Sequence, residues 1–161
     1  MKLAELNGYD PITIQCHDNP DADALASGFA LYRYFESKGK EVSLVYAGRN
    51  RVQKSNLLLM LEKLRIPIFY IEDVTAYLSK LPQQRIPGLL ITVDCQYGAG
   101  NVTQLPAEDV AIIDHHQVEI RDVEKSEINP HLGSCATLVW SMLRDEGWQI
   151  TDSKLGTALY Y

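Results

Sequence analysis

Short apolar runs recur along the chain at 11–16 (PITIQC), 41–46 (EVSLVY), 67–71 (PIFYI), 88–94 (GLLITVD) and 109–114 (DVAIID). Each run has the length of a β-strand. Most of the runs lack the polar alternation of a sheet that has one face in water. We therefore predict five strands that are covered on both faces.

Stretches with helical spacing of apolar residues separate these runs, at 23–38, 55–64, 73–81 and 134–146, and a further helix begins near Asp152. The first stretch carries Leu25, Phe29 and Tyr32 on one side and is followed by Gly39, a residue that favours helix ends. Strands that alternate with helices predict an α/β fold. We expect a doubly wound, mainly parallel five-stranded sheet with helices on both faces.

The composition narrows the function classes. The chain has 161 residues, of which 46% are hydrophobic, and its start lacks the pattern of a secretory signal. No apolar stretch approaches the roughly 18 residues of a membrane span, so we expect no membrane partner. Three scattered cysteines without a CxxC pair disfavour disulfides and favour a cytoplasmic location. The net charge of −6 excludes a general nucleic-acid clamp, although bound metal ions can supply positive charge locally.

The strongest chemical signal directly follows the first predicted strand, in the sequence HDNPDAD at 17–23. His17, Asp21 and Asp23 can converge on a metal ion because the chain turns at Asn19-Pro20. The alternative is a polar turn in which Asp23 serves as an ordinary helix N-cap.

Two further signals lie at the ends of later predicted strands. Asp94 ends the fourth, and Asp114, His115 and His116 end the fifth. In an open parallel sheet such positions line the ligand crevice. We interpret one histidine as a metal ligand and the other as a donor to substrate, while Asp114 accepts from an imidazole N–H. A strand-end turn at Asp94 and a solvated histidine pair are the alternatives.

Taken together, these residues predict a metal site at one edge of the sheet. Clustered carboxylates repel each other, which raises their pKa values unless a cation is present. Several carboxylates mixed with imidazoles suit manganese or magnesium better than a thiolate-type zinc site.

Four motifs occur in order: HDNPDADA at 17–24, VDC at 93–95, DHH at 114–116 and GSCAT at 133–137. This arrangement resembles the N-terminal domain of the DHH phosphoesterase superfamily, and within it the branch of RecJ-like enzymes, oligoribonucleases and nucleotide phosphatases. The resemblance implies one metal ion held by His17, Asp21 and Asp94, and a second held by Asp23, Asp94 and His115. It also implies that His116 contacts the substrate phosphate and that Asp114 orients a neighbouring imidazole.

The resemblance further implies the function, which we expect to be hydrolysis of phosphoester bonds in short oligonucleotides or small (di)nucleotides with two Mn²⁺ (or Mg²⁺) ions. A manganese-dependent inorganic pyrophosphatase or polyphosphatase is one alternative, and a non-catalytic nucleotide- or metal-binding module is another. We expect residues 1–161 to be a catalytic domain truncated before a last metal-ligand Asp, without the substrate-binding domain that relatives carry. A homodimer is left open.

Three other residues are candidate substrate contacts. Ser134 opens a predicted helix whose N-terminus can bind an anion, although a plain N-cap is the favoured explanation. His131 follows Asn129-Pro130 and is either a phosphate contact or an ordinary loop histidine. Arg49 follows the second strand and is either a crevice residue or a surface arginine.

Overall fold

The computed structural model describes residues 1–161 and contains one six-stranded sheet. The strands are β1 (Ile12–Cys16), β2 (Val42–Tyr46), β3 (Ile68–Tyr70), β4 (Ile86–Val93), β5 (Ala107–Asp114) and β6 (Lys125–Ile128). Their order is β3-β2-β1-β4-β5-β6, and every neighbouring pair is parallel. The α-helices are α1 (Ala22–Ser37), α2 (Ser55–Leu64), α3 (Val74–Ser79), α4 (Cys135–Asp145) and α5 (Ser153–Tyr160).

The predicted parallel α/β sheet is confirmed, but the prediction of five strands is wrong. The missed strand is β6, whose sequence KSEI has no apolar run and whose four residues are all only half-buried. It pairs with β5 alone, at the edge of the sheet. An edge strand whose residues are only half-buried has no need of a continuous apolar sequence, so periodicity does not reveal it.

Helices cover both faces of the sheet, but unequally. Alternate residues of the central strands, such as Ile14 and Ile91, join a large core with apolar residues of α1, α2, α4 and α5. Residues that point to the other face of the sheet, such as Val45 and Leu90, form a smaller core with α3 and with residues of the loop after β4. None of the helices combines the length and the apolarity that a membrane crossing requires.

Helix α1 packs closely on the sheet. Its N-cap is Asp21, whose side chain accepts a hydrogen bond from the backbone N–H of Ala24. A Cβ atom at Gly28 would lie 2.8 Å from Leu44 Cδ1 and 3.1 Å from Cys16 Sγ. The absence of a side chain at Gly28 therefore sets the distance between α1 and the strands that precede the candidate site.

Candidate metal centre

The strand order changes direction between β1 and β4, which are neighbours at the centre of the sheet. His17 directly follows β1, and Asp94 directly follows β4. Ligands of open α/β sheets bind at such a switch point, outside the carboxyl ends of the strands. The topology thus brings together the first two of the three motifs that the sequence places at strand ends, and β5 adds the third beside them.

Two overlapping sets of side chains could each hold an ion. The ligating atoms of His17, Asp21 and Asp94 lie within 4.8 Å of one another, as do those of Asp94, His115 and His116. Oδ2 of Asp94 is 3.7 Å from Nε2 of His17, and Oδ1 of Asp94 is 3.4 Å from Nε2 of His115. Asp94 is therefore the residue that both sets share.

Asp94 combines an unfavourable backbone conformation with a buried carboxylate. Its φ of +60° lies in the left-handed region, which a non-glycine residue rarely adopts. It is 2% exposed, and its Oδ1 atom has no hydrogen-bond partner. Burial raises the pKa of Asp94 to about 8, with a further contribution from the charges of Asp23 and Asp21. A divalent cation would offset the burial and repulsion of this charge, so the residues present fit a metal ion.

The three imidazoles of the site are each held through Nδ1. In His17 this atom lies 2.9 Å from the backbone oxygen of Asp18, and in His115 it lies 3.1 Å from that of Leu132. A carbonyl oxygen only accepts, so Nδ1 carries the proton in both rings. With Nδ1 held in this way, Nε2 is the ring atom that faces Asp94 and would give its lone pair to a bound ion.

His116 is oriented differently. Its Nδ1 atom lies 2.7 Å from Oδ1 of Asp114, a buried carboxylate, and this hydrogen bond raises the pKa of His116. The same Nδ1 atom is 3.9 Å from Asp94. Because it is already engaged with Asp114, it is a poor ligand for an ion at Asp94. The remaining ring nitrogen, Nε2, is free to face a substrate.

Asp23 completes the second set better than His116 does. Its Oδ2 atom is 3.5 Å from Nε2 of His115. Both of its oxygens also accept hydrogen bonds from the N-terminus of α4, at 2.8 Å from the backbone nitrogen of Cys135 and 2.7 Å from that of Ala136. The N-cap alternative for Asp23 is thus replaced by a different role, since Asp21 caps α1 while Asp23 joins α4 to the site.

Asp21 lies at the exposed side of the first set. Its Oδ1 atom is 3.8 Å from Nε2 of His17, and the interaction with His17 lowers the pKa of Asp21 to about 2. The carboxylate is therefore ionised throughout the physiological range and is available to an ion.

The three candidate substrate contacts lie outside both sets. Ser134 caps α4, accepting from the N–H of Thr137 at 3.1 Å, and the two preceding N–H groups of this helix donate to Asp23. The anion-binding donors of the helix are thus occupied, so a substrate contact at Ser134 rests on its hydroxyl group. His131 and Arg49 are both exposed on loops at this edge of the sheet.

Two structural residues were not singled out from the sequence. The buried amide of Gln96 donates to Oδ2 of Asp114 at 2.9 Å and accepts from the N–H groups of Glu119 and Ile120. Asp18 accepts from the N–H and the hydroxyl of Thr103 at 3.0 and 2.8 Å. Gln96 follows the VDC motif and Asp18 lies within HDNPDAD, but a polar residue in such a place does not by itself distinguish a buried clamp from a surface residue.

The motifs of this site are those of a known protein family. The model of the DHH family, N-terminal domain, matches residues 11–161. The chain belongs to the DHH family. The predicted family resemblance is thereby confirmed, and members of this family are typically metal-dependent hydrolases.

The individual relatives share only 18–28% sequence identity with this chain. The uncharacterized protein MJ1633 of Methanocaldococcus jannaschii is 28% identical over 152 residues, which are 94% of this chain and 29% of that protein. An exopolyphosphatase-related protein from Bacteroides fragilis shares the fold with a TM-score of 0.76 at 18% identity, over 98% of this chain and 46% of that one. RecJ from Thermus thermophilus, solved in complex with Mn²⁺, gives a TM-score of 0.42 at 18% identity over 91% of this chain and 20% of that one. The DHH chain thus spans less than half the length of each of these relatives.

Proposed function

We propose that this chain is the catalytic domain of a metal-dependent phosphoesterase that hydrolyses phosphoester bonds of short oligonucleotides or small (di)nucleotides. The observation that carries the proposal is the position of Asp94, a buried carboxylate that lies between the Nε2 atoms of His17 and His115. An unpaired carboxylate oxygen in that position has no structural benefit of its own.

The proposed ligands follow from the contacts. His17, Asp21 and Asp94 would hold one ion, and Asp23, Asp94 and His115 would hold the second. The mixture of carboxylate oxygens and imidazole nitrogens favours Mn²⁺, with Mg²⁺ as the substitute. Such ions, when bound, lower the pKa of water and offset negative charge on phosphoryl oxygens.

The proposed acid is His116. Its Nδ1–H bond to Asp114 stabilises the protonated ring, and its pKa is raised accordingly. The Nε2–H group then donates to the oxygen that leaves phosphorus, while Asp114 holds the ring in orientation. Asp114 is itself 1% exposed, so it acts through His116 and has no route to the substrate.

The first test is a calorimetric titration of the chain with Mn²⁺, beside an Asp94→Ala control. We expect one or two bound ions that the control loses. Hydrolysis of a 5′-phosphorylated dinucleotide by the Mn²⁺-loaded chain is then the assay of function. Absence of Mn²⁺ binding in the wild-type chain would refute the metal centre, and Mn²⁺ binding without turnover of any phosphate compound would support the non-catalytic module instead.

A further inference from the structure

The carboxylate of Asp18 directly follows the proposed ligand His17 but belongs to neither ligand set. Its Oδ1 atom accepts from the backbone N–H of Thr103 at 3.0 Å, and its Oδ2 atom accepts from the hydroxyl of the same residue at 2.8 Å. Both oxygens are thus occupied by one residue 85 positions away, in the loop after β4. The carboxylate therefore connects two loops of the site and is not itself directed at an ion.

The loop after β4 is fixed to the end of β1 by further hydrogen bonds. The backbone oxygen of Thr103 accepts from Nε2 of Gln15 at 2.7 Å, and Gln15 is completely buried. The backbone N–H of Asp18 donates to the backbone oxygen of Asn101 at 2.9 Å. Together with the two bonds to the carboxylate, four hydrogen bonds join residues 101–103 to residues 15–18.

The loop after β2 packs against Asp18 as well. A Cβ atom at Gly48 would lie 2.7 Å from that of Asp18, and Gly48 has a φ of +103°, which favours glycine. The backbone oxygen of Gly48 accepts from the hydroxyl of Tyr70 at 2.8 Å. Asp18 consequently lies between two anchored loops, and the absence of a side chain at Gly48 leaves room for it.

The backbone oxygen of Asp18 is the atom that orients His17, since it lies 2.9 Å from Nδ1 of the ring. The peptide group that carries this oxygen leads into Asn19, whose φ of +56° lies in the left-handed region. A non-glycine residue rarely adopts that conformation, which persists only where the surrounding contacts support it. The bonds from Asp18 to Thr103 and Asn101 supply this support.

We propose that Asp18 is a positioning residue for the first metal ion. Its carboxylate fixes the main chain so that the backbone oxygen keeps Nε2 of His17 turned towards Asp94. Asp18 acts through His17 and does not touch the ion. The second ion is independent of it, because His115 is held by the backbone oxygen of Leu132. This inference rests on the proposed function, since it takes His17 as a ligand of the first ion.

A negative charge near a cation would also favour metal binding, without any positioning. Asp18→Asn separates the two effects. The amide retains an oxygen that accepts from the N–H of Thr103 and gains an NH₂ group that donates to its hydroxyl oxygen, but it has no charge. Asp18→Ala removes the charge and both hydrogen bonds.

The first test is a calorimetric titration of both variants with Mn²⁺. We expect Asp18→Ala to weaken binding of the first ion by roughly 10–100-fold, the usual effect of losing a group that orients a ligand, and Asp18→Asn to retain most of the wild-type affinity. In a chain that already carries His17→Ala, Asp18→Ala should cause no further loss, because the ring on which it acts is gone. Equal losses in the two Asp18 variants, or an undiminished loss in the His17→Ala chain, would overturn the inference.

A second measurement needs neither metal nor turnover. In the isotope-labelled, metal-free chain, the Nδ1–H protons of His17 and His115 should both exchange slowly with water, because each is hydrogen-bonded to a backbone oxygen. Asp18→Ala should speed the exchange at His17 alone, and Asp18→Asn should not. Unchanged exchange at His17 in Asp18→Ala, or faster exchange at both rings, contradicts the positioning role. If the wild-type chain binds no Mn²⁺, the proposed function fails, and the exchange at His17 alone decides whether Asp18 positions this ring.

Discussion

The side-chain amide of Gln96 donates to Oδ2 of Asp114 at 2.9 Å, and Oδ1 of the same carboxylate lies 2.7 Å from Nδ1 of His116. The orientation of the proposed acid therefore depends on a neutral residue that lies outside both proposed ligand sets. Gln96 also accepts from the N–H groups of Glu119 and Ile120, at 2.8 and 2.9 Å. One buried side chain thus fixes both the carboxylate behind His116 and the loop that follows it.

Replacing Gln96 should lower both the stability of the fold and the catalytic rate. Gln96→Leu keeps the approximate volume but removes every hydrogen bond of the side chain, and we expect a loss of about 2 kcal/mol in the free energy of unfolding. We also expect kcat to fall more than KM rises, because Asp114 and His116 lose their orientation. Urea denaturation and steady-state kinetics measure the two effects. Gln104→Leu, an exposed substitution in the loop after β4, is the control, and equal behaviour of the two variants would show that Gln96 positions nothing.

Removing the charge of Asp94 should stabilise the metal-free chain. Burial, together with Asp23 and Asp21, raises the pKa of Asp94 to about 8, above the ordinary value of 3.8. The folded state therefore binds more protons than the unfolded state between these values, so this residue lowers stability as pH rises from about 4 to about 8. Asp94→Asn cannot ionise, and in chelator its melting temperature should exceed that of the wild type most clearly at pH about 9, above both values.

The same variant should lose the response to metal. Mn²⁺ should raise the melting temperature of the wild-type chain and leave that of Asp94→Asn unchanged, because ligand binding to the folded state alone stabilises it. If metal-free Asp94→Asn melts below the wild type under the same alkaline conditions, the buried charge of Asp94 does not destabilise the folded state.

Asp23 should matter to stability even without metal. Asp23→Ala removes the acceptor of two N–H groups at the start of α4, and we expect a cost of about 1–2 kcal/mol, similar to the loss of a helix cap. Hydrogen exchange of the Cys135 and Ala136 amides should become faster in this variant. Asp21→Ala offers the comparison, since it removes a cap from α1 and should leave those two amides unaffected. Unchanged exchange at Cys135 and Ala136 in Asp23→Ala would refute the link between Asp23 and α4.

The two adjacent histidines should give different phenotypes. His115→Ala should reduce the number of bound Mn²⁺ ions, because Nε2 of His115 faces both Asp23 and Asp94. His116→Ala should retain the calorimetric signal and lose roughly 10²–10⁴-fold in turnover, the usual contribution of a general acid. Gln117→Ala, an exposed neighbour, controls for disturbance of the loop. Loss of Mn²⁺ binding in His116→Ala would place this residue among the ligands.

Much of the site was predictable because its residues come directly after apolar strands, and parallel strands end at one edge. His17, Asp94 and His115 are examples, and the structure brings all three together. The unpredicted part depends on contacts between residues far apart in sequence. Gln96 bonds to Asp114 across 18 positions, and Asp23 bonds to Ala136 across 113. Strand β6 was missed for a related reason, since pairing with β5 and not its own apolar content makes it a strand.

Two of the three imidazoles are held by main-chain oxygens, those of Asp18 and Leu132. Every amino acid has a carbonyl group, so no point substitution at these two positions deletes the acceptor. The hydrogen bonds that hold these two rings consequently depend on the path of the main chain, and the side chains of Asp18 and Leu132 do not take part in them. A substitution at Leu132 that preserves this path should therefore leave the orientation of the His115 ring unchanged.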